Sequence, residues 1–307
     1  MIIPAFNAEA TIARALAAVA SQDFEGDFEV VVVDDGSTDG TATAAEAAGG
    51  VTVLRQGHSG PAAARNRGVE HASGRLLAFT DADCMPSPSW LREGVAALKH
   101  ADLVQGAVRP DPSAARTPFD HTLWVSADSG LYQCASLFVR RDLFECVGGF
   151  EDWLQAGLGK ELAEDVWFGW QCRRAGARTA FAPDALAYHA VLPRRALEYV
   201  LERCRRVYFP TITAKIPDLR DSYLYRRYFV TRDSAAFDLA AVGGVGAVVS
   251  SSALPAVLAA PYLWSIGRRS VVWRRRAPLA AAAELAADAV GFGALVVGSL
   301  RSRTLVL

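Results

Sequence analysis

The stretch VVVDDGSTDG, residues 31–40, decides the fold. It follows Val30, so an unbroken valine run drives straight into two adjacent carboxylates, Asp34 and Asp35. A continuous β-branched run is the pattern of a strand buried on both faces, as in parallel sheets covered by helices. Carboxylates resist burial, so the strand must surface where they begin. Ligands of open parallel sheets bind beyond the carboxyl ends of the strands, which is where Asp34 and Asp35 stand. The valines form a floor, and the acids line a mouth.

Working outward, the first hundred residues alternate between the two hydrophobic periods. Residues 1–3 read as a strand running into the turn PAFN, and a helix is expected over 9–21 with Ile12, Leu16 and Val19 on one face. A strand over 28–33, a loop over 34–40, a helix over 41–48 and a strand over 51–54 follow. A helix near 61–72, the strand LLAFTDAD and a helix over 88–99 complete the series. Strands interleaved with helices predict an α/β, Rossmann-like, mostly parallel sheet with helices on both faces. From about 103 to 193 the pattern is less regular, with strands expected at 134–139 and 178–182 and a helix at 164–175. We divide the chain into a domain over 1–193, whose halves are about 1–102 and 103–193, a basic-aromatic amphipathic segment over 194–237, and an apolar helical region over 238–307.

The chain has 307 residues and a net charge of −1, but the charge is unevenly placed. Residues 1–193 hold 25 acids against 15 lysines and arginines, whereas 194–307 hold 8 against 17. An acidic site in front and an anionic surface met at the back account for that split. Between 194 and 232, arginines such as Arg203, Arg206 and Arg220 alternate with Tyr199, Tyr208 and Tyr223, a mixture suited to a membrane-surface helix. Residues 239–266 contain no charge, and at about 1.5 Å per residue they could cross a bilayer of roughly 30 Å. Pro255, Pro261 and three serines at 250–252 interrupt them, and five arginines follow within 268–276. A single crossing would oppose the positive-inside tendency, so a re-entrant hairpin bent near Pro255 or interfacial helices fit better. Five scattered cysteines without metal-ligand spacing favour a reducing compartment. No signal peptide is read at the start, because Pro4 and Asn7 interrupt its apolar stretch, and the opening strand itself looks clipped.

A second acidic pair, Asp81 and Asp83, flanks Ala82 in FTDADC. On an extended strand alternate residues point the same way, so both carboxylates could face one hard cation such as Mg²⁺ or Mn²⁺. Between the two acidic loops lies GPAAARNRG, whose Arg65 offers a cationic fork to a phosphate or a base carbonyl. The absence of GxGxxG and of GxxxxGK[ST] disfavours a dinucleotide cofactor and a P-loop. These elements together describe a pocket for a nucleoside diphosphate.

IIPAFNAEATI, VVVDDGSTDGT, GPAAARNRG, FTDADCMP, VGGF and AEDVWFGWQCRRAG occur in that order over residues 1 to about 190. In this the chain resembles the family 2 glycosyltransferases with the GT-A fold, in their membrane-associated bacterial form. The resemblance implies a nucleotide-sugar site at Pro4, Asn7, Asp35, Arg65, Asp81 and Asp83. Within it, Asp35 would hydrogen-bond the nucleobase and Asp34 would orient its loop, while Arg65 would lie near base and phosphate. The family's DxD falls on Asp81 and Asp83, with Asp83 as the more direct ligand of Mn²⁺ or Mg²⁺ and His189 as a further candidate. The ED dipeptide falls on Glu164 and Asp165, making Asp165 the catalytic base. Trp167 and Trp170 are weighed as a sugar platform against plain core packing, and His58, His71, His100 and His121 receive no role.

The expected activity is inverting, metal-dependent transfer of a sugar from a nucleotide diphosphate sugar, by default a UDP-sugar. The acceptor would be a lipid-linked or polysaccharide hydroxyl at the cytoplasmic face of the cell membrane, with no nucleic acid as partner. Two rivals are a nucleotidyltransferase acting on a sugar phosphate and a non-catalytic sugar-nucleotide-binding membrane protein. The first would have no use for Asp165.

Overall fold

The computed structural model describes residues 1–156, 160–161 and 163–307. The chain opens with β1 (Ile2–Ala5), α1 (Ile12–Ala20), β2 (Val31–Asp34), α2 (Thr41–Ala48), β3 (Thr52–Arg55), α3 (Gly60–His71) and β4 (Leu76–Phe79). It continues through β5 (Cys84–Pro86), α4 (Trp90–Ala97), β6 (Leu103–Pro110), β7 (Leu137–Arg140), α5 (Arg141–Cys146), β8 (Gln155–Ala156), β9 (Lys160–Glu161), α6 (Glu164–Arg174) and β10 (Thr179–His189). Among the described residues the main sheet has eight strands in the order β3-β2-β1-β4-β7-β6-β10-β5, and β8 and β9 form a separate hairpin.

The period-2 alternation of the strands divides the core between two faces. Ile3 and Val32 pack with Ile12, Leu16, Val19, Trp90 and Leu91, so α1, α2 and α4 cover one face. Val31 and Val33 pack with Ala64 and Ala72 of α3 and the segment just after it on the other. Gly68 lets α3 approach closely, because a Cβ there would lie 2.5 Å from Ile2 Cγ2. The valine run is thus buried on both sides, as its composition requires.

The sheet is mixed rather than mostly parallel. β1 pairs in parallel with β2 and β4, β2 with β3, and β6 with β10. β7 is antiparallel to both β4 and β6, and β5 is antiparallel to β10. The sequence hid β6, because Gln105, Gly106 and Arg109 break its apolar run. It also shortened β10, in which Pro183 and Asp184 lie within a register shift between Ala182 and Leu186. Helix α6 and helix α2 lie where they were expected, within a residue.

By internal contacts the chain divides into one unit comprising 1–114 and 122–191 and a second comprising 115–121 and 192–307. The second unit contains α7 (Ala196–Glu202), α8 (Phe209–Lys215), α9 (Leu219–Ser222), α10 (Arg232–Ser250), α11 (Ala260–Val271) and α12 (Ala277–Ser302). The basic-aromatic stretch is built as short helices rather than one amphipathic rod, with Pro210 and Pro217 among the residues that break it. Several of its arginines stack on its own aromatics, Arg203 over Tyr199 at 5.0 Å and Arg220 over Tyr228 at 5.4 Å. Helix α12 packs along α7, α8 and α11. The charge-free stretch does not continue as one rod: α10 ends at Ser250, Ser251 is left-handed (φ 48°), and a 3₁₀ turn over Leu254–Ala259 leads back into α11. Helix α10 and the stretch Arg274–Ser302 are each long and apolar enough to cross a membrane by length and composition.

Candidate active site

The site is assembled at the ends of β1, β2 and β4, from loops whose shape is fixed by their own polar residues. Asn7, in the left-handed region at φ 48°, follows β1. Its side-chain oxygen accepts from the Thr38 amide at 2.9 Å, and its own amide donates to Ser37 Oγ at 2.9 Å. Asn7 therefore ties the PAFN turn to the DDGS loop. Pro4 sits within β1 in register with Val33. Asp34 accepts the Ser37 amide at 3.3 Å, consistent with its expected part in orienting the loop.

Asp35 is almost fully buried, and its carboxylate is richly supplied with donors. One oxygen accepts from Gln56 Nε2 at 2.7 Å and from the Ser59 amide at 2.9 Å. The other accepts from the Gly60 amide at 2.8 Å and lies 2.9 Å from His58 Nδ1. Asp35 thus caps the start of α3, where unpaired amides and the helix dipole favour a negative charge. The sequence reading gave this carboxylate to a nucleobase; the structure gives it first to the chain's own amides. His58, which received no role, stacks on the exposed Phe6 with ring centroids 4.2 Å apart and planes at 23°. This flat aromatic surface beside Asp35 is suited to stacking a base. The signal was present in the sequence only as an aromatic residue, Phe6, inside a strand-end turn.

The DxD pair is not on a strand face. β4 ends at Phe79, and the Cys84 amide donates to the Asp81 carbonyl at 3.0 Å, closing a turn over both acids. The two carboxylates therefore part company, which corrects the expectation of a shared strand face. Asp81 turns to Arg65, whose Nη2 donates to it at 3.0 Å, while Nη1 of the same guanidinium donates to Glu164 at 2.9 Å. Arg65 is nearly fully buried, and its fork braces two carboxylates from separate loops instead of projecting toward a ligand.

Asp83 turns the other way. The antiparallel pairing of β5 with β10 sets His189 opposite Cys84, and the Ala190 amide donates to the Asp83 carbonyl at 2.8 Å. His189 Nε2 then lies 3.4 Å from Asp83 Oδ2, and Nδ1 lies 2.6 Å from the Ala190 carbonyl. Nδ1 donates to that carbonyl, which leaves Nε2 as the ring atom facing Asp83. Burial pushes the Asp83 carboxyl above its usual range, His189 draws it back, and Asp81 adds to the rise. A cation supplies the charge such a carboxylate lacks. Asp83, Cys84 and His189 offer ligand atoms within 4.8 Å of one another. Burial, reinforced by Asp81 and Asp83, pushes the Cys84 thiol well up, away from the thiolate a nucleophile needs. The oxygen and imidazole donors that remain suit Mn²⁺ or Mg²⁺, with the imidazole favouring Mn²⁺.

Helix α6 supplies the last group. Its first residues are Glu164, buried against Arg65, and Asp165, which accepts from the Val166 amide at 2.7 Å. Asp165 is half-buried by surface area, yet burial of its carboxyl and then repulsion from Glu164 push it well up, against the pull of Arg65. Asp81 also acts on it, so Arg65, Asp81, Glu164 and Asp165 form one electrostatic group, with Asp83 joined to it through Asp81. Trp170 is buried and donates to the Gly130 carbonyl at 2.9 Å, which makes it core rather than a sugar platform. Trp167 instead bonds Glu151 at 2.7 Å and pairs with Trp153 at 6.1 Å.

The family described as Glycosyl transferase family 2 matches residues 1–146. Glycosyltransferase AglE of Haloferax volcanii is 34% identical over 209 residues, covering 63% of this chain and 67% of that protein. YibD of Escherichia coli, ExoU of Rhizobium meliloti and the pre-mycofactocin glycosyltransferase of Mycobacterium tuberculosis are matched over less than half of their length. Among solved structures, the mannosyltransferase PcManGT from Pyrobaculum calidifontis in complex with GDP-Man and Mn²⁺ superposes with a TM-score of 0.57 at 22% identity, covering 98% of this chain and 86% of that one. Staphylococcus aureus TarS 1–349 in complex with UDP-GlcNAc superposes with a TM-score of 0.52 at 19% identity, covering 99% and 91%. At these identities the two structures speak for the fold.

Proposed function

The chain belongs to glycosyl transferase family 2, and from that premise we propose that it is an inverting, metal-dependent enzyme transferring a sugar from a nucleotide diphosphate sugar to a membrane-side acceptor. The observation that carries this reading is the division of labour around Arg65. One guanidinium holds Asp81 beside the start of α6, so that the Asp83–His189 pair and Asp165 are fixed with respect to one another.

In this reading Asp83 and His189, with Asp81 beside them, hold Mn²⁺ or Mg²⁺, which when bound neutralises charge on the departing diphosphate. Phe6 and His58 stack the base, and Asp35 orients them by fixing the loop that bears His58. Asp165 takes the proton of the acceptor hydroxyl on the face of the sugar opposite the leaving group. A carboxyl raised above its usual range is the better base near neutral pH, which suits that task. Solved neighbours carry both GDP-Man and UDP-GlcNAc, so the UDP default rests on the sequence resemblance alone. We place the acceptor, a lipid-linked or polysaccharide hydroxyl, at the cytoplasmic face of the cell membrane, in line with the apolar helices of the second unit.

The test is calorimetric binding of GDP- and UDP-sugars with and without Mn²⁺ to the full chain and to Asp83→Ala. We expect Mn²⁺-dependent binding that the substitution abolishes. Donor affinity unchanged by the metal, or by the loss of Asp83, would remove the assigned metal site.

A further inference from the structure

The second unit holds an apolar surface that the transfer reading does not use. Residues 239–267 carry no charged side chain, and they fold as a hairpin, α10 running out and α11 returning. The hairpin is antiparallel: Ser265 Oγ donates to Asp233 at 2.6 Å, and Arg269 pairs with Asp233 at 3.4 Å, so the start of α10 lies beside the end of α11. At the far end Gly243 lies against Pro255, where a Cβ would meet the Pro255 carbonyl at 2.6 Å. The chain thus folds back tightly on itself.

Large apolar side chains face outward along this hairpin. Val242, Val245, Val248 and Val249 of α10 are 65–81% exposed, and Leu254 and Val257 in the turn are 78% and 65% exposed. From Leu239 to Val249 this zone is about 15 Å tall at the helical rise. Below it, Trp264 is 76% exposed on α11, and the exposed Arg268, Arg274, Arg275 and Arg276 follow. The order along the axis is therefore apolar tip, tryptophan, arginines.

Several polar groups of the tip are satisfied within it. Ser250 Oγ donates to the Gly246 carbonyl at 2.7 Å, and Ser252 Oγ accepts the Leu254 amide at 3.3 Å. The Ser251 and Ser252 amides donate to the carbonyls of Val248 and Ala247 at 3.3 and 3.2 Å.

We propose that the α10–α11 hairpin is a monotopic wedge that enters one leaflet of an anionic bilayer without crossing it. A height of about 15 Å is half of a hydrocarbon core of roughly 30 Å. With the tip at mid-bilayer, Trp264, level with the start of α10, falls in the headgroup layer, and the arginines meet anionic phosphates. The wedge deepens the membrane-side reading above, but its readout needs neither donor nor transfer, so either can fail without the other.

The test uses the full chain with the exposed Cys146 and Cys204 changed to Ser and a reporter cysteine at the tip, Ala253→Cys. In lipid-free protein a membrane-impermeant maleimide should label the reporter readily. Bound to vesicles of equal parts phosphatidylcholine and phosphatidylglycerol, labelling from outside should fall by about tenfold or more, as for a site withdrawn from water. Reagent trapped in the lumen should not label it either. Unchanged labelling from outside overturns the wedge, and labelling from the lumen replaces it with a span. A lipid-free reporter that is already protected in a protein of dimeric mass assigns the face to a second copy. In Val248→Asp/Val249→Asp, vesicle flotation should be lost with helical content intact, and retained flotation also overturns the proposal.

Discussion

The two acidic loops of the first unit look alike in sequence and are built on opposite principles. In the DDGS loop, Asp35 is buried and receives four donor groups from a single stretch, residues 56–60. In the DAD turn, Asp81 and Asp83 each lean on one side chain, Arg65 and His189, from two different segments of the chain. Asp35 is enclosed by the chain's own donors, whereas the Asp83 carboxyl is raised by burial. The first loop carries its own charge compensation as part of the fold. The second is left short of positive charge, which is the condition for a site that takes a cation. Asp165, raised by burial and by Glu164, belongs with the second class.

If this division is right, stability and activity separate cleanly. Asp165→Asn should lower sugar transfer by about 10²–10⁴-fold, the contribution of a positioned base. The same substitution should leave the melting temperature equal or higher. The sign follows from the raised carboxyl: its stabilising, protonated form is complete below the unfolded value of about 4 and is lost as pH rises toward the folded value. Above the unfolded value the raised carboxyl therefore costs stability, and Asn removes that cost. A large drop in melting temperature would move Asp165 into the structural class. Arg65→Met comes next. It leaves the buried Glu164 and its neighbour Asp81 without their shared cation, and breaking a buried pair in this way costs about 3–5 kcal/mol. Thermal melts with and without Mn²⁺ check it, and a metal that restores the loss would show the cation sharing the load of Arg65.

What could be seen in the sequence follows from the range of each interaction. The valine run, the alternation of helices and strands and the order of the motifs are local, so α2, α3 and α6 fall within a residue of their expected places. The acids were found for the same reason. Their partners were not, because a salt bridge from Arg65 to Glu164 spans ninety-nine positions and leaves no trace in spacing. The DAD pair was set on a strand face because TDAD continues an apolar run, and only the Cys84 amide bond to Asp81 ends it. His189 was visible as a lone histidine, but its meaning depends on β10 continuing past its register shift against β6 to pair with β5, which no local pattern announces. Pro255 did announce the hairpin of the second unit, since a proline can be read without knowing what it touches.

The smallest effect lies within the first loop and tests the comparison most finely, since it sets two adjacent residues of one type against each other. Asp34→Asn keeps an oxygen for the Ser37 amide, a bond already long at 3.3 Å, so its cost should stay within about 1 kcal/mol. Asp35→Asn cannot be accommodated in the same way. Each oxygen of Asp35 faces a backbone amide, Ser59 on one side and Gly60 on the other, with Gln56 Nε2 beside the first. An Asn amide group must point its own N–H at one of those donors, leaving a buried donor unpaired at about 1–3 kcal/mol. Paired thermal melts of the two variants measure the difference directly. Equal melting temperatures would mean that Asp35 is held by a single dispensable bond, and the contrast between a self-compensated loop and a cation-seeking one would lose its first half.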